Sequence, residues 1–215
     1  MAIKFSTFWY KYKLYGEHLK INFIPMGFKD KKLLFMKMGR SAGTSIMETL
    51  NSYIVKTSRG WNLGQGGNDE WLKNITDEEI IRDYFVFLNV RNPFSRVVSY
   101  YEVTKHHYPK HDFNLFIKEH FLDSKGNIKK IPNNGHLWPS SIHYEFENGQ
   151  RFVDFVIKVE NLTEDWKNFC SKVEIPFRDL GNKKLIDYRP YFTSEQIEIV
   201  SKFYKRDLEL FNYEF

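Results

Sequence analysis

Hydrophobic and polar positions along this chain of 215 residues switch between two periods. Three short apolar runs, Leu33 to Met38, Tyr84 to Val90 and Phe152 to Val159, have the length and continuity of strands buried on both faces of a parallel sheet. Between and after them the apolar positions recur at helical spacing. Residues 44–56 would place Ile46, Met47, Leu50, Tyr53 and Ile54 on one face. Thr76 with Glu79 forms a capping-box pattern ahead of Ile80 and Ile81, and Asn161 with Glu164 repeats it ahead of Trp166 and Phe169. Thr193 with Gln196 opens a long C-terminal helix carrying Ile197, Val200, Phe203 or Tyr204, Leu208 and Phe211. Strand and helix alternate, which predicts a three-layer α/β fold, P-loop-like, with a mainly parallel central sheet flanked by helices. Ligands of such sheets sit beyond the carboxyl ends of the strands.

No internal repeat or Pro/Ser-rich linker interrupts this pattern, so residues 1–215 read as one domain, with 1–30 unassigned. The apolar share suits a folded chain with a substantial core. A net charge of +5 is compatible with an anionic ligand, but it is too small and too dispersed to indicate nucleic acid. The single cysteine, Cys170, rules out an internal disulfide and any metal site built from several cysteines. No apolar run reaches the ~18 residues of a membrane-spanning helix. The first residues lack the apolar core of a signal peptide. A cytoplasmic protein is the expectation.

Two strand ends carry candidate chemistry. The first run leads into Met38-Gly39-Arg40-Ser41-Ala42-Gly43-Thr44-Ser45 and then a helix. Small residues let such a turn bend close to a ligand, and the free N–H groups of the helix's first turn favour an anion. Ser41, Thr44 and Ser45 add hydroxyl donors, and Arg40 adds a fork suited to phosphate or sulfate oxygens. Ordinary turn glycines and N-cap hydroxyls account for this stretch about equally well. A nucleoside-triphosphatase loop fits less well, because Thr44 stands where that motif needs Lys.

The second run ends at Val90. Arg91 follows, Asn92-Pro93 forces a turn, and a helix is expected from near Ser95. Arg91 and Ser99 are positioned for a second anionic group, whereas Arg96 is expected to face solvent. A lone Arg would ordinarily be a surface group. Two strand ends equipped alike instead suggest one ligand bearing two anionic groups.

The chain resembles sulfotransferases that use 3'-phosphoadenosine 5'-phosphosulfate (PAPS), most of all the carbohydrate branch called sulfotransferase family 2. That family's H-I-P-K-N-A-G-T-S-I loop corresponds to Lys37-Met38-Gly39-Arg40-Ser41-Ala42-Gly43-Thr44-Ser45-Ile46. Its V-R-N-P-x-x-R-x-x-S-x-Y segment corresponds to Val90 through Tyr101, with Arg91, Asn92, Pro93, Arg96 and Ser99 in place. An H-x-x-P-Q segment is matched by His136 to Ser140, with Ser for Gln. Two later landmarks are matched by Val153-Asp154 with Glu160-Asn161-Leu162, and by Asp207 to Tyr213. The resemblance covers about residues 31–215.

It implies transfer of a sulfuryl group from PAPS, leaving adenosine 3',5'-bisphosphate (PAP), to a hydroxyl acceptor of the carbohydrate class, without a metal. It also implies that Arg40, Ser41, Ala42, Gly43, Thr44 and Ser45 hold the phosphosulfate, and that Arg91 and Ser99 hold the 3'-phosphate. Arg40 replaces the family's usual Lys. It keeps the charge but cannot give up a proton. Many relatives have a His between the first loop and the second strand, where this chain offers only Asp69 and Glu70. Glu70 and His136 are therefore the candidate general bases. His106, His107 and His111, with Tyr101, Trp61, Trp71 and Trp138, are candidates for an acceptor groove. A P-loop kinase or NTPase, or a non-catalytic nucleotide- or glycan-binding relative, are the alternatives.

Overall fold

The computed structural model describes residues 26–28, 33–54, 83–130, 132, 134–145, 149–181 and 185–215. Its sheet runs β1 (Met26–Phe28), β2 (Leu33–Met36), β3 (Phe85–Val90) and β4 (Phe155–Lys158), in that spatial order. β2, β3 and β4 are parallel, as the three apolar runs predict, and pair Leu33 with Phe85 and Phe87 with Phe155. β1 adds an antiparallel edge strand against β2, with Met26 opposite Phe35. Three residues carry too little periodicity for the pattern to announce that strand.

Alternation along the strands decides which helices cover which face. Leu34, Met36, Val86, Leu88 and Val90 form one core with Phe152 and Phe211. Leu33, Phe35 and Phe87 point the other way, towards α1 (Gly43–Ile54) and α4 (Leu162–Lys172). On that face Phe87 meets Phe169 at a centroid distance of 4.3 Å, and Trp166 stacks on Phe169 at 5.2 Å. Cys170 is buried there, and burial pushes its thiol up to about 11. Both faces are covered, giving the three layers expected.

A third core joins α2 (Pro93–Thr104), α3 (Phe113–Phe121), α5 (Ser194–Phe203) and α6 (Lys205–Phe211) through Phe94, Phe116, Phe121, Val200 and Tyr204. Asn92 caps α2, its side chain accepting from the Phe94 N–H at 2.9 Å, so the helix starts at Pro93 rather than near Ser95. Thr193 and Gln196 form the capping box expected of them. Asn161 makes no side-chain capping bond, and its amide NH₂ donates to Asp165 at 2.7 Å. The single C-terminal helix expected is interrupted at Tyr204, and this makes α5 and α6 separate. The pattern at Thr76 and Glu79, with Ile80 and Ile81, lies outside the described residues, as do the side chains of Tyr53 and Ile54. No helix among the described residues is long and apolar enough to cross a membrane.

Candidate functional site

Because β2, β3 and β4 run parallel, their carboxyl ends deliver three segments to one edge: the turn 37–43, Arg91-Asn92 and Val159–Asn161. A polar residue within an apolar strand organises them. Asn89, fully buried, accepts from the Met38 N–H at 2.7 Å and donates to the carbonyls of Met38 and Ser41. One side chain thereby shapes the turn after the neighbouring strand. Its exception to the apolar run YFVFLNV is the signal that sequence reading passed over.

The bend itself falls at Arg40 (φ 60°) and Ala42 (φ 61°), not at the glycines. Left-handed residues placed this way turn successive N–H groups towards one side, the arrangement that cradles anions. Gly39 and Gly43 serve close approach. A Cβ on Gly39 would lie 2.4 Å from His136 Nδ1, and one on Gly43 would lie 2.7 Å from Lys37 Cγ. The first bond of α1 runs from the Ile46 N–H to the Ala42 carbonyl, so the N–H groups before it lack intrahelical partners. Thr44 is exposed and Ser45 half-buried at this helix start. Ser41 differs from expectation. It is fully buried and its hydroxyl donates to the Gly39 carbonyl at 3.3 Å, so it braces the turn.

The two predicted loops converge. Arg40 Nη2 donates to Ser99 Oγ at 3.2 Å, and Arg91 Nη1 donates to the Arg40 carbonyl at 3.3 Å. Arg91 Nε is held by Ser95 Oγ at 2.9 Å, while its Nη2 is buried with no hydrogen-bond partner among the described residues. Burial lowers the Arg91 pKa most; Glu160 counteracts this, and the charges of Arg40 and Arg96 lower it further. Arg40 is lowered by burial and partly restored by Tyr100. Guanidinium groups stay charged under such shifts. Two cations held this close, one with a spare buried N–H group, favour an anion between them. Glu160 arrives from the end of β4, accepting from the Asn92 N–H at 2.8 Å and the Tyr213 hydroxyl at 2.8 Å. It locks the third strand end to the second.

A family model described as the sulfotransferase family matches residues 28–214. This chain belongs to the sulfotransferase family. No curated protein and no solved structure matches it. Sulfuryl transfer is the chemistry of that family, and the convergent cations sit where a parallel sheet places its ligand.

Within the sulfotransferase, the remaining candidates separate. His136 lies against Gly39, and its ring is 5.4 Å from that of Tyr100, centroid to centroid. The residue is exposed as a whole, yet burial of its imidazole, then Arg40, Lys37 and Arg96, hold its pKa below the usual value. It is therefore neutral, and able to accept a proton, at neutral pH. Arg96 does not face solvent. It is fully buried, donates to Ser140 Oγ at 2.9 Å and the Trp138 carbonyl at 2.8 Å, and pairs with Asp207 at 3.7 Å.

Trp138 and Tyr101 are buried, the latter with its hydroxyl on the His111 carbonyl, so neither offers a face to a sugar. The rings of His106 and His107 lie tilted against one another, centroids 3.9 Å apart, and both residues are exposed. Asp69, Glu70, Trp61 and Trp71 lie outside the described residues. Lys37 was missed by sequence reading: it runs beside Gly43, and burial lowers its pKa against a counteracting Glu48. Among the described residues no group of three or more His, Cys, Asp or Glu is placed to hold a metal ion.

Proposed function

We propose that the protein transfers a sulfuryl group from PAPS to the hydroxyl of a carbohydrate-class acceptor. The observation that carries this reading is the buried Nη2 of Arg91, without a hydrogen-bond partner among the described residues, beside an Arg40 that reaches Ser99. The donor supplies the activated sulfuryl group and two separated anionic groups. In this reading Arg91 and Ser99 hold the 3'-phosphate. Arg40, the N–H groups of the turn through Ala42 and Gly43, and the hydroxyls of Thr44 and Ser45 hold the phosphosulfate. Ser41 contributes by fixing the turn.

Charge building on the leaving phosphate is met by fixed donors, the largest catalytic contribution available to such a site. Arg40 stabilises that charge without releasing a proton. His136, neutral and beside the turn, takes the proton of the acceptor hydroxyl. Glu70 is the other candidate for that role.

Calorimetric titration with PAP tests the donor site. Binding in the micromolar range without added metal is expected. Arg91→Ala should weaken it about a hundredfold, the loss of more than one charge-assisted hydrogen bond. Absence of binding to the unaltered protein sinks the reading, and unchanged affinity in Arg91→Ala removes Arg91 from the site.

A further inference from the structure

We infer that Asn89 is a positioning residue for the donor, and that it acts by holding carbonyls of the turn after β2 away from the anion. This rests on the sulfuryl-transfer reading and adds to it a residue from the neighbouring strand. The β2–β3 pairing ends with Met36 opposite Leu88, while Asn89 still pairs with Ile157 of β4. Asn89 therefore stands one step beyond the last residue of β2, level with the start of the turn. Alternation puts its side chain on the same face as that of Phe87, the face packed against α1.

The carboxamide spends both its oxygen and its nitrogen on that turn. Oδ1 accepts from the Met38 N–H at 2.7 Å, and Nδ2 donates to the Met38 carbonyl at 3.3 Å and to the Ser41 carbonyl. Nδ2 also lies 3.2 Å from where a Cβ on Gly43 would stand, so the amide reaches the first residue of α1.

The other carbonyls of the turn are engaged too. That of Gly39 accepts from Ser41 Oγ at 3.3 Å, that of Arg40 from Arg91 Nη1 at 3.3 Å, and that of Ala42 from the Ile46 N–H at 3.3 Å. From Met38 to Ala42, each carbonyl thus has a donor. A carbonyl aimed at a bound anion would oppose the attraction of the N–H groups beside it. Engaging all of them sorts the turn by polarity and leaves its donor side to the ligand.

A role in folding alone accounts for less. Asn89 is fully buried between Leu88 and Val90 in a strand covered on both faces, where an apolar residue would extend the core with no amide to desolvate. Its bonds go to Met38 and Ser41, which bracket the left-handed Arg40. What it fixes is the direction in which Arg40 and the N–H groups after it point.

Two ligands separate positioning from stability. In the proposed reading PAP engages both strand ends, whereas adenosine 3'-monophosphate carries only the phosphate assigned to Arg91 and Ser99. The experiment is calorimetric titration of the full chain and of its Asn89→Asp variant with each ligand. Asp keeps the size and an oxygen for the Met38 N–H, but turns its second oxygen on the carbonyls of Met38 and Ser41. PAP affinity should fall about tenfold or more, while the affinity for adenosine 3'-monophosphate stays unchanged. Equal losses for the two ligands, or no loss for PAP, overturn the inference. Thermal unfolding of the same samples checks that the variant is folded. If it is not, Ser41→Ala, which releases the Gly39 carbonyl, should show the same selectivity to a lesser degree; equal losses or no loss there overturn the inference as well. Intact PAP binding by the unaltered protein with either of these results rejects Asn89 alone. Absence of PAP binding to the unaltered protein overturns the donor reading, and this inference with it.

Discussion

The Arg40 guanidinium donates to the Ser99 hydroxyl at 3.2 Å across 59 positions of sequence, and the carbonyl of the same residue receives Arg91 Nη1 at 3.3 Å. One residue thus takes part in both strand-end loops. It does so from a left-handed backbone, φ 60°, which costs a residue with a Cβ about 1 kcal/mol. The strain and the proposed grip on an anion belong to the same position.

Glycine at position 40 separates them. Arg40→Gly relieves the strain and removes the guanidinium. Thermal unfolding should be unchanged or shifted upward, while PAP affinity falls about tenfold or more for the lost charge-assisted bond. A fall in both would show that Arg40 holds the fold rather than the ligand.

Gly39 is where turnover should be most sensitive to a single methyl group. A Cβ there would lie 2.4 Å from His136 Nδ1 and 3.1 Å from His136 Cα, so both the ring and its backbone must move. Gly39→Ala should fold and bind donor with little change in KM. Its kcat should fall about a hundredfold, the scale set by a displacement of roughly 1 Å at a reacting centre. Equal losses in kcat and donor affinity would place the damage in the turn instead.

His136 sets the expected pH dependence. Its folded pKa lies below 6.5, chiefly through burial and then through Arg40, Lys37 and Arg96. A base is active when unprotonated, so kcat/KM should be flat around neutrality and decline only on the acid side of pH 6.5. Bound donor brings negative charge to offset those cations, so the limb in kcat should lie at higher pH than the limb in kcat/KM. His136→Gln should lower turnover and remove the limb; a limb that persists in this variant would assign the base elsewhere.

Asp207 holds a buried framework behind the site. It accepts from the N–H groups of Ser140 at 2.7 Å and Ser141 at 2.8 Å, and pairs with the fully buried Arg96. Asp207→Ala leaves that guanidinium uncompensated and should cost about 3–5 kcal/mol, read as a lower urea midpoint. Adding Arg96→Met should recover part of the loss, since the stranded charge goes with it. A double variant no more stable than the single one would mean the backbone contacts of Asp207 dominate.

Much of the site's grammar is local and therefore legible. Gly39 to Ser45 and Asn92-Pro93 are short-range statements about turns and caps, and the strand runs announce burial on both faces. The Asn92 cap and the Thr193 box formed as their few residues dictate. Asn161 shows the limit: its side chain makes no capping bond to the helix N-terminus, and its amide NH₂ donates to Asp165, one turn away.

The chain by itself determined the parallel strands, the two polar turns at their ends and the identity of the residues in them, because backbone geometry and helix capping are settled within a few positions. Tertiary structure alone decided what those residues face. Arg91 and Arg96 occur in the same short segment, yet the Arg91 guanidinium reaches the Arg40 carbonyl while that of Arg96 is turned inward to Asp207, Ser140 and Trp138. Ser41 turned inward because Asn89, on the next strand, holds its carbonyl. His136 came to lie against Gly39 and Tyr100 through packing between segments far apart in sequence. Burial and partner choice are long-range properties, fixed only when distant segments compete for the same polar groups.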